Sequence, residues 1–133
     1  MNILLYIWQL PQNLLGLFML LIYQHETEYH QLNGRIFYFT TEMPSGISLG
    51  NYIIMNREDR EDGMKHEYGH SIQSRYIGWF YLPTIGLFSI LWNIIDRIIV
   101  EPIVGYKKSY NLYYHMPWEW WADYLGRVKR KWY

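Results

Sequence analysis

The tightest constraint on this chain is the run His66-Glu67-Tyr68-Gly69-His70, because its spacing suits one conformation above others, a helix. On a helix the two histidines sit at i and i+4, so both rings project from one face and can share a metal ion. Glu67 follows the first histidine and is placed to take a proton from a water activated by that metal. A catalytic zinc takes three protein ligands and keeps one position open, so a third ligand must come from elsewhere in the chain. Glu119, in the string Glu119-Trp120-Trp121-Ala122-Asp123, is the best candidate. Asp123 lies one turn further on the same face, suited to accept the second ring N–H of a ligating histidine. Two helices must then lie close together, and small residues are present on both. Ala122 is one; Gly69 is the other, at a cost of about 1 kcal/mol of helix propensity relative to alanine.

His-Glu-x-x-His followed by Glu-x-x-Ala-Asp resembles the gluzincin clan of zinc peptidases. The pattern is most similar to the membrane-embedded endopeptidases related to the CAAX prenyl protease. The wider string HEYGHSIQSRYIGWFYLP also resembles short bacterial membrane proteins that carry the same box, and the likeness spans Leu49 to Gly126. The resemblance implies that His66, His70 and Glu119 hold one zinc ion per chain, that Glu67 is the general base, and that Asp123 is the partner of His66. It implies a membrane-anchored zinc metalloendopeptidase acting on a peptide or membrane-protein substrate. The chain departs from those enzymes by being far shorter, and by having one apolar segment between box and glutamate where they have a two-helix hairpin. The alternative is a non-catalytic, metal-stabilised membrane protein that binds peptides or protein partners, which would hold zinc without needing Glu67. If the box were accidental, no metal would bind at all.

A length of 133 residues makes one domain. The formal net charge is zero, so no overall field favours nucleic acid. Cysteine is absent, which excludes disulfides and cysteine-ligated metal and leaves histidine and carboxylate chemistry. The 14 tyrosines and 7 tryptophans suit a membrane–water interface, where an amphipathic ring has one apolar and one wet edge.

Ile3 to Tyr23 carries no charged residue, and its length is about that needed to cross a hydrocarbon core. Pro11 is expected to kink or break it, and Gln9, Gln12 and Asn13 dilute its apolar character. A membrane helix over residues 3–23 is the expectation; a buried core helix is the alternative. A second apolar segment runs from Ile77 to Val100, interrupted by Asp96 and Arg97. As one straight helix it would carry the chain about 36 Å away from the box. An irregular linker could not return through lipid, because its backbone groups would lack partners. The segment is therefore expected to turn back at Pro83–Gly86 as a hairpin or re-entrant arm, with a helix from Leu87 to Val100 returning.

Residues 33–62 read as a small sheet and loop. Asn33-Gly34 is a hairpin signal, Arg35–Thr40 suits a strand, Met43-Pro44-Ser45-Gly46 a turn, and Ile47–Met55 a second strand with Gly50 as a bulge. By the resemblance, the strand around Leu49–Met55 is either the edge on which an extended peptide pairs or an ordinary covered strand. The charged run from Asn56 to Asp62 is expected to lead, with Asp59 or Asp62 near the helix start, into a metal helix over 62–76, with Ser71 and Gln73 structural. Residues 117–130 would form a helix bearing Glu119 followed by a basic tail. His115 stands four residues before Glu119 but is cut off by Pro117; it, Tyr110, Tyr113 or Tyr114 could polarise a substrate carbonyl, and sequence does not choose among them. His25 and His30 are expected at headgroup level. The tail from Gly126 to Tyr133 is basic and aromatic, suited to an anionic leaflet or to a frayed end. The fold expected is α+β: a minimal zincin-like core, one N-terminal membrane helix and an apolar helical hairpin. The expected location is a bacterial cytoplasmic membrane with the site on its cytoplasmic side, where an oligomer is possible.

Overall fold

The computed structural model describes residues 2–23, 28–42, 45–58 and 61–133. His25, the Met43–Pro44 half of the expected turn, and Asp59 lie outside the described residues. The architecture is α+β, with helices packed around one four-stranded sheet in the order β1-β2-β4-β3.

Asn33 (φ 48) and Gly34 (φ 79) both adopt the left-handed conformation that a two-residue hairpin turn demands. They join β1 (Glu28–Leu32) to β2 (Arg35–Thr40), with Leu32 opposite Arg35. His30 is an exposed residue of β1. The expected second strand is two strands. Gly50, at φ 66, and Asn51 form a hairpin turn between β3 (Ile47–Leu49) and β4 (Tyr52–Asn56), so Gly50 ends a strand and is no bulge. β4 pairs parallel with β2, which leaves β3 at the edge. Alternation places Phe37, Phe39, Ile53 and Met55 on one buried face, packed against Met64 and Tyr68 of the following helix. Each such burial contributes about 1.5–3 kcal/mol relative to exposure.

That helix, α3 (Glu61–Ile77), carries the His-Glu-x-x-His box and has Glu61 and Asp62 in its first turn, where the dipole favours acids. Arg35 fastens β2 to it, donating from Nε to Ser71 Oγ at 2.9 Å and lying 4.5 Å over the Tyr68 ring.

The N-terminal apolar stretch is not a membrane span. It breaks at Gln9 into α1 (Ile3–Trp8) and α2 (Leu10–Tyr23), with Pro11 in the first turn of α2, where a missing N–H costs nothing. Fourteen residues of α helix extend only about 21 Å, short of a hydrocarbon core. The buried side of this stretch is polar. Gln12 Nε2 donates to Ser74 Oγ and to the Gly78 carbonyl, Ser74 Oγ donates to Gln9 Oε1, and Asn13 Oδ1 accepts from the Asn51 N–H. The residues that weaken the stretch as a span thus attach it to α3 and to the β3–β4 turn, while Leu14, Phe18 and Leu21 face outward.

The second apolar segment corrects the expected hairpin. The chain turns at Gly78, whose φ of 62 suits glycine, and again at Gly105 (φ 85). Between them no corner occurs. A π-helical turn (Leu82–Gly86), α4 (Leu87–Ile95), a second π-helical turn (Asp96–Val100) and α5 (Glu101–Val104) follow one another, and Gly86, Leu87, Asp96 and Glu101 all keep helical backbone angles. Pro83 and Gly86 lie in a helical turn; proline within a first turn is compatible with helix. The return after Gly105 is itself helical, α6 (Tyr106–His115), so its backbone groups are satisfied. Met116 is extended before Pro117, which opens α7 (Pro117–Gly126). Among the described residues no helix is long and apolar enough to cross a membrane. That finding overturns the expected membrane helix, the re-entrant arm and the integral-membrane location.

Candidate metal centre

α3 and α7 touch backbone to backbone. A Cβ on Gly69 would lie 2.6 Å from the Ala122 carbonyl carbon and closer still to its oxygen. At the other end of the contact, a Cβ on Gly126 would lie 2.7 Å from the Lys65 carbonyl carbon. Glycines at both places let the helices approach until Glu119 reaches across to the box.

The result is a buried cluster. Glu119 is 0% exposed, His70 4%, His66 6% and Glu67 8%. His66 Nδ1 donates to Asp123 Oδ1 at 2.6 Å, and His70 Nδ1 donates to Gln73 Oε1 at 2.7 Å. The Gln73 amide is oriented by its own Nε2–H, which donates to the Trp118 carbonyl at 2.9 Å. With both Nδ1 positions engaged as donors, both Nε2 atoms point at one oxygen. Glu119 Oε2 lies 2.9 Å from His66 Nε2 and 3.1 Å from His70 Nε2. Its other oxygen accepts from Ser89 Oγ at 2.5 Å. One ligand atom from each of His66, His70 and Glu119 lies within 4.8 Å of the others, so the group could hold a metal ion. The donor set fits one: two imidazole nitrogens and a carboxylate oxygen converge, each fixed from behind by a hydrogen bond.

Electrostatics agree with the geometry. Burial opposes charge on His66, but the hydrogen bonds to Asp123 and Glu119 outweigh it and push the imidazole up to about 10. Burial likewise opposes charge on Glu119, yet His70 and His66 hold its carboxyl well below the usual carboxylate range. Asp123 is lowered too, by its bonds to His66 and Arg130 working against burial. Glu67 shifts the other way. Burial raises its carboxyl above the ordinary 4.5, with His70 and His66 opposing. The cluster thus contains two carboxylates held ionised, Glu119 and Asp123, and one, Glu67, eased towards the proton-accepting range.

A cavity of about 600 Å³ opens beside the cluster. Residues 45–49, including edge strand β3, form one wall; α3 presents His66, Glu67 and His70; the helical arm presents Ser89, Asn93 and Asp96. Gly46 lies so close to Glu67 that a Cβ there would sit 2.7 Å from Glu67 Cγ. Of the two alternatives for the strand around Leu49–Met55, β4 is the covered one, paired on both sides; of the sheet's two edge strands, β1 and β3, it is β3 that borders the cavity.

The four candidates for polarising a carbonyl separate. His115 is exposed, bonded through Nδ1 to the Asn111 carbonyl and packed 4.3 Å from Trp132, away from the cavity. The Tyr110 hydroxyl accepts from Arg130 at 3.3 Å, and the Tyr114 ring lies under the same guanidinium at 3.5 Å. Tyr110, Tyr113 and Tyr114 all line the cavity; the Tyr113 oxygen accepts from Asn93 Nδ2 at 3.3 Å, which leaves its O–H available to donate. Burial raises the Tyr113 hydroxyl, and Glu119 and Glu67 raise it further, so it remains a donor.

Sequence reasoning missed four residues here. Gln73 orients His70 rather than being merely structural. Ser89 and Asn93 come from the apolar segment, where Ser89, Asn93 and Asp96 recur at helical spacing, a polar stripe legible in the sequence. Arg130 grips Asp123 from a tail expected at a lipid surface or frayed. Compared with known proteins, the chain matches no family model, no curated protein and no solved structure.

Proposed function

We propose that the protein is a zinc-dependent metallopeptidase, with His66, His70 and Glu119 as metal ligands and Glu67 as general base. One observation carries the reading: two Nε2 atoms aimed at a single Glu119 oxygen, with the Glu67 carboxylate, which has no hydrogen-bond partner among the described residues, at the cavity wall beside them. A two-histidine, one-glutamate set with space alongside is typical of catalytic zinc. When bound there, zinc supplies Lewis acidity, polarising a carbonyl and lowering the pKa of water towards about 7.

The chain's own residues do the rest. Glu67, raised by burial, accepts a proton from the attacking water and passes it to the leaving amine, so its affinity suits both transfers. Tyr113, keeping its proton, donates a hydrogen bond from its hydroxyl to the carbonyl oxygen as charge develops there. An extended peptide is the substrate class that suits β3, whose outer edge has no strand partner among the described residues and whose buried Ser48 Oγ lacks a hydrogen bond.

The test is metal content together with hydrolysis of a mixed peptide library followed by mass spectrometry. Wild type is expected to hold about one zinc per chain and to cleave; Glu67→Gln to keep the metal and lose cleavage; Glu119→Ala to lose both. Metal-free wild type would overturn the reading. Metal uptake with cleavage indifferent to Glu67→Gln would overturn the role of the base, and metal without any cleavage would favour a peptide-binding protein.

A further inference from the structure

Arg130 belongs to segment 127–133, which has no regular secondary structure yet is fastened along its length. Arg127 takes the left-handed conformation (φ 58) that turns the chain out of α7, and the Val128 N–H donates to the Asp123 carbonyl at 2.9 Å. Asn111 of α6 holds Tyr133 by two hydrogen bonds, from its Nδ2 to the Tyr133 carbonyl at 2.6 Å and from the Tyr133 N–H to its Oδ1 at 3.1 Å. Trp132 packs on His115. Between these ties the Arg130 side chain reaches inward. Its Nε donates to Asp123 Oδ2 at 2.8 Å and its Nη2 to Oδ1 at 2.9 Å, a two-pronged grip on one carboxylate. That same Oδ1 receives the His66 Nδ1–H at 2.6 Å. The guanidinium also lies 3.5 Å from the centre of the Tyr114 ring, whose edge-on contact with His66 spans 5.4 Å between centroids.

We propose that Arg130 is a positioning residue for the metal centre, and that segment 127–133 is a strap that sets its affinity through the relay Arg130–Asp123–His66. The inference rests on the metal-binding reading above. Asp123 is buried, and one of its oxygens must serve both an imidazole and a guanidinium. A carboxylate held by one partner can swing about its χ2 torsion. Held by a planar fork on both oxygens, it fixes the direction from which His66 Nδ1 is gripped, and hence where His66 Nε2 points. Lysine cannot reproduce the fork, because an ammonium is a point charge.

Partners behind metal ligands typically govern about 10- to 100-fold in metal affinity. Arg130 is one step further out than Asp123, so the lower part of that range applies. The experiment is a chelator-competition titration with zinc, plus the visible spectrum of the cobalt-loaded protein, on wild type, Arg130→Ala, Arg130→Lys, Asp123→Ala and the Arg130→Ala/Asp123→Ala double variant. Arg130→Ala is expected to bind zinc about 10-fold more weakly with a shifted cobalt spectrum, Arg130→Lys to fall between it and wild type, and the double variant to be no weaker than Asp123→Ala alone. That non-additivity separates a relay from a general loosening of the fold, which would make the two losses add. Should Arg130→Ala fail to fold, the Arg130→Lys spectrum and affinity carry the same test. Wild-type affinity and spectrum in the arginine variants, or additive losses in the cycle, would overturn the strap while leaving the metal site standing. Wild type that takes up no metal would overturn both.

Discussion

Gly69→Ala isolates the contact on which the site depends. The added Cβ would meet the Ala122 carbonyl carbon at 2.6 Å, where real Cβ contacts begin at about 3.0 Å and ordinary packing at 3.4 Å. The atoms it meets are backbone, so no side chain can rotate away, and because the carbonyl oxygen is closer still the helices must separate by more than about 1 Å to reach ordinary packing. Overpacking of this kind costs about 3 kcal/mol at the upper end of its usual range, offset by about 1 kcal/mol of helix propensity gained over glycine. A net loss near 2 kcal/mol corresponds to a fall in Tm of about 7 °C for a chain of this length. The separation matters more for the metal. Ligand distances tolerate only about 0.2 Å, so moving Glu119 about 1 Å from His66 and His70 should abolish tight binding. Gly86→Ala is the control. Its Cβ would meet Leu82 Cδ2 and the Tyr81 carbonyl at an ordinary 3.4 Å on helical backbone, so Tm should hold or rise by up to about 3 °C. Thermal unfolding with and without zinc reads both variants. Gly69→Ala melting with wild type, and stabilised by zinc as wild type is, would refute the argument that helix proximity makes the site.

Four further outcomes follow from the cluster's charges and donors. His66, pushed up to about 10, is doubly protonated at pH 7, so metal binding should release about one proton or more; calorimetric titration in buffers of different ionisation enthalpy would reveal it, and no buffer dependence would count against the assignment. The same shift makes the metal-free protein's His66 contribution to stability complete below the unfolded value of 6.5 and lost as pH rises through about 10. Glu67, raised by burial, costs stability increasingly as pH rises from the unfolded value near 4.5 through its folded value, so metal-free Glu67→Gln should melt above wild type at neutral pH; the gap should close below 4.5, and a gap that persists there would contradict the burial argument. Tyr113→Phe should leave zinc affinity intact and lower kcat by about 10²-fold, and an unchanged kcat would return the carbonyl-polarising role to other groups.

Much of the site was legible because it is periodic. His66 and His70 at i and i+4, and Glu119 and Asp123 at i and i+4, occupy helix faces whatever the rest of the chain does, and Gly69 with Ala122 marked where two helices could meet. The Asn33-Gly34 turn was equally local, since its two positive φ angles suit those residue types. The apolar stretches were misread for a related reason. Hydropathy reports what a side chain is, not which way it faces. Gln9, Gln12 and Asn13 looked like flaws in a membrane helix, and they are the groups that bind that stretch to α3. Pro83 and Gly86 looked like a corner and sit inside a helical turn, while the chain reverses at Gly78 and Gly105.

By itself, then, the sequence determined the two helix faces that carry His66, Glu67, His70, Glu119 and Asp123, because i, i+4 spacing is a property of local backbone geometry. Only the tertiary structure decided which groups stand behind them. Gln73 needs the Trp118 carbonyl of another helix to orient its amide, Ser89 needs the arm to cross Glu119, and Arg130 needs segment 127–133 to fold back over α6. The first two contacts join residues 45 and 30 positions apart, and Arg130, though seven positions from Asp123, reaches it only because the chain leaves α7 at Arg127; no local spacing says which partner each group meets.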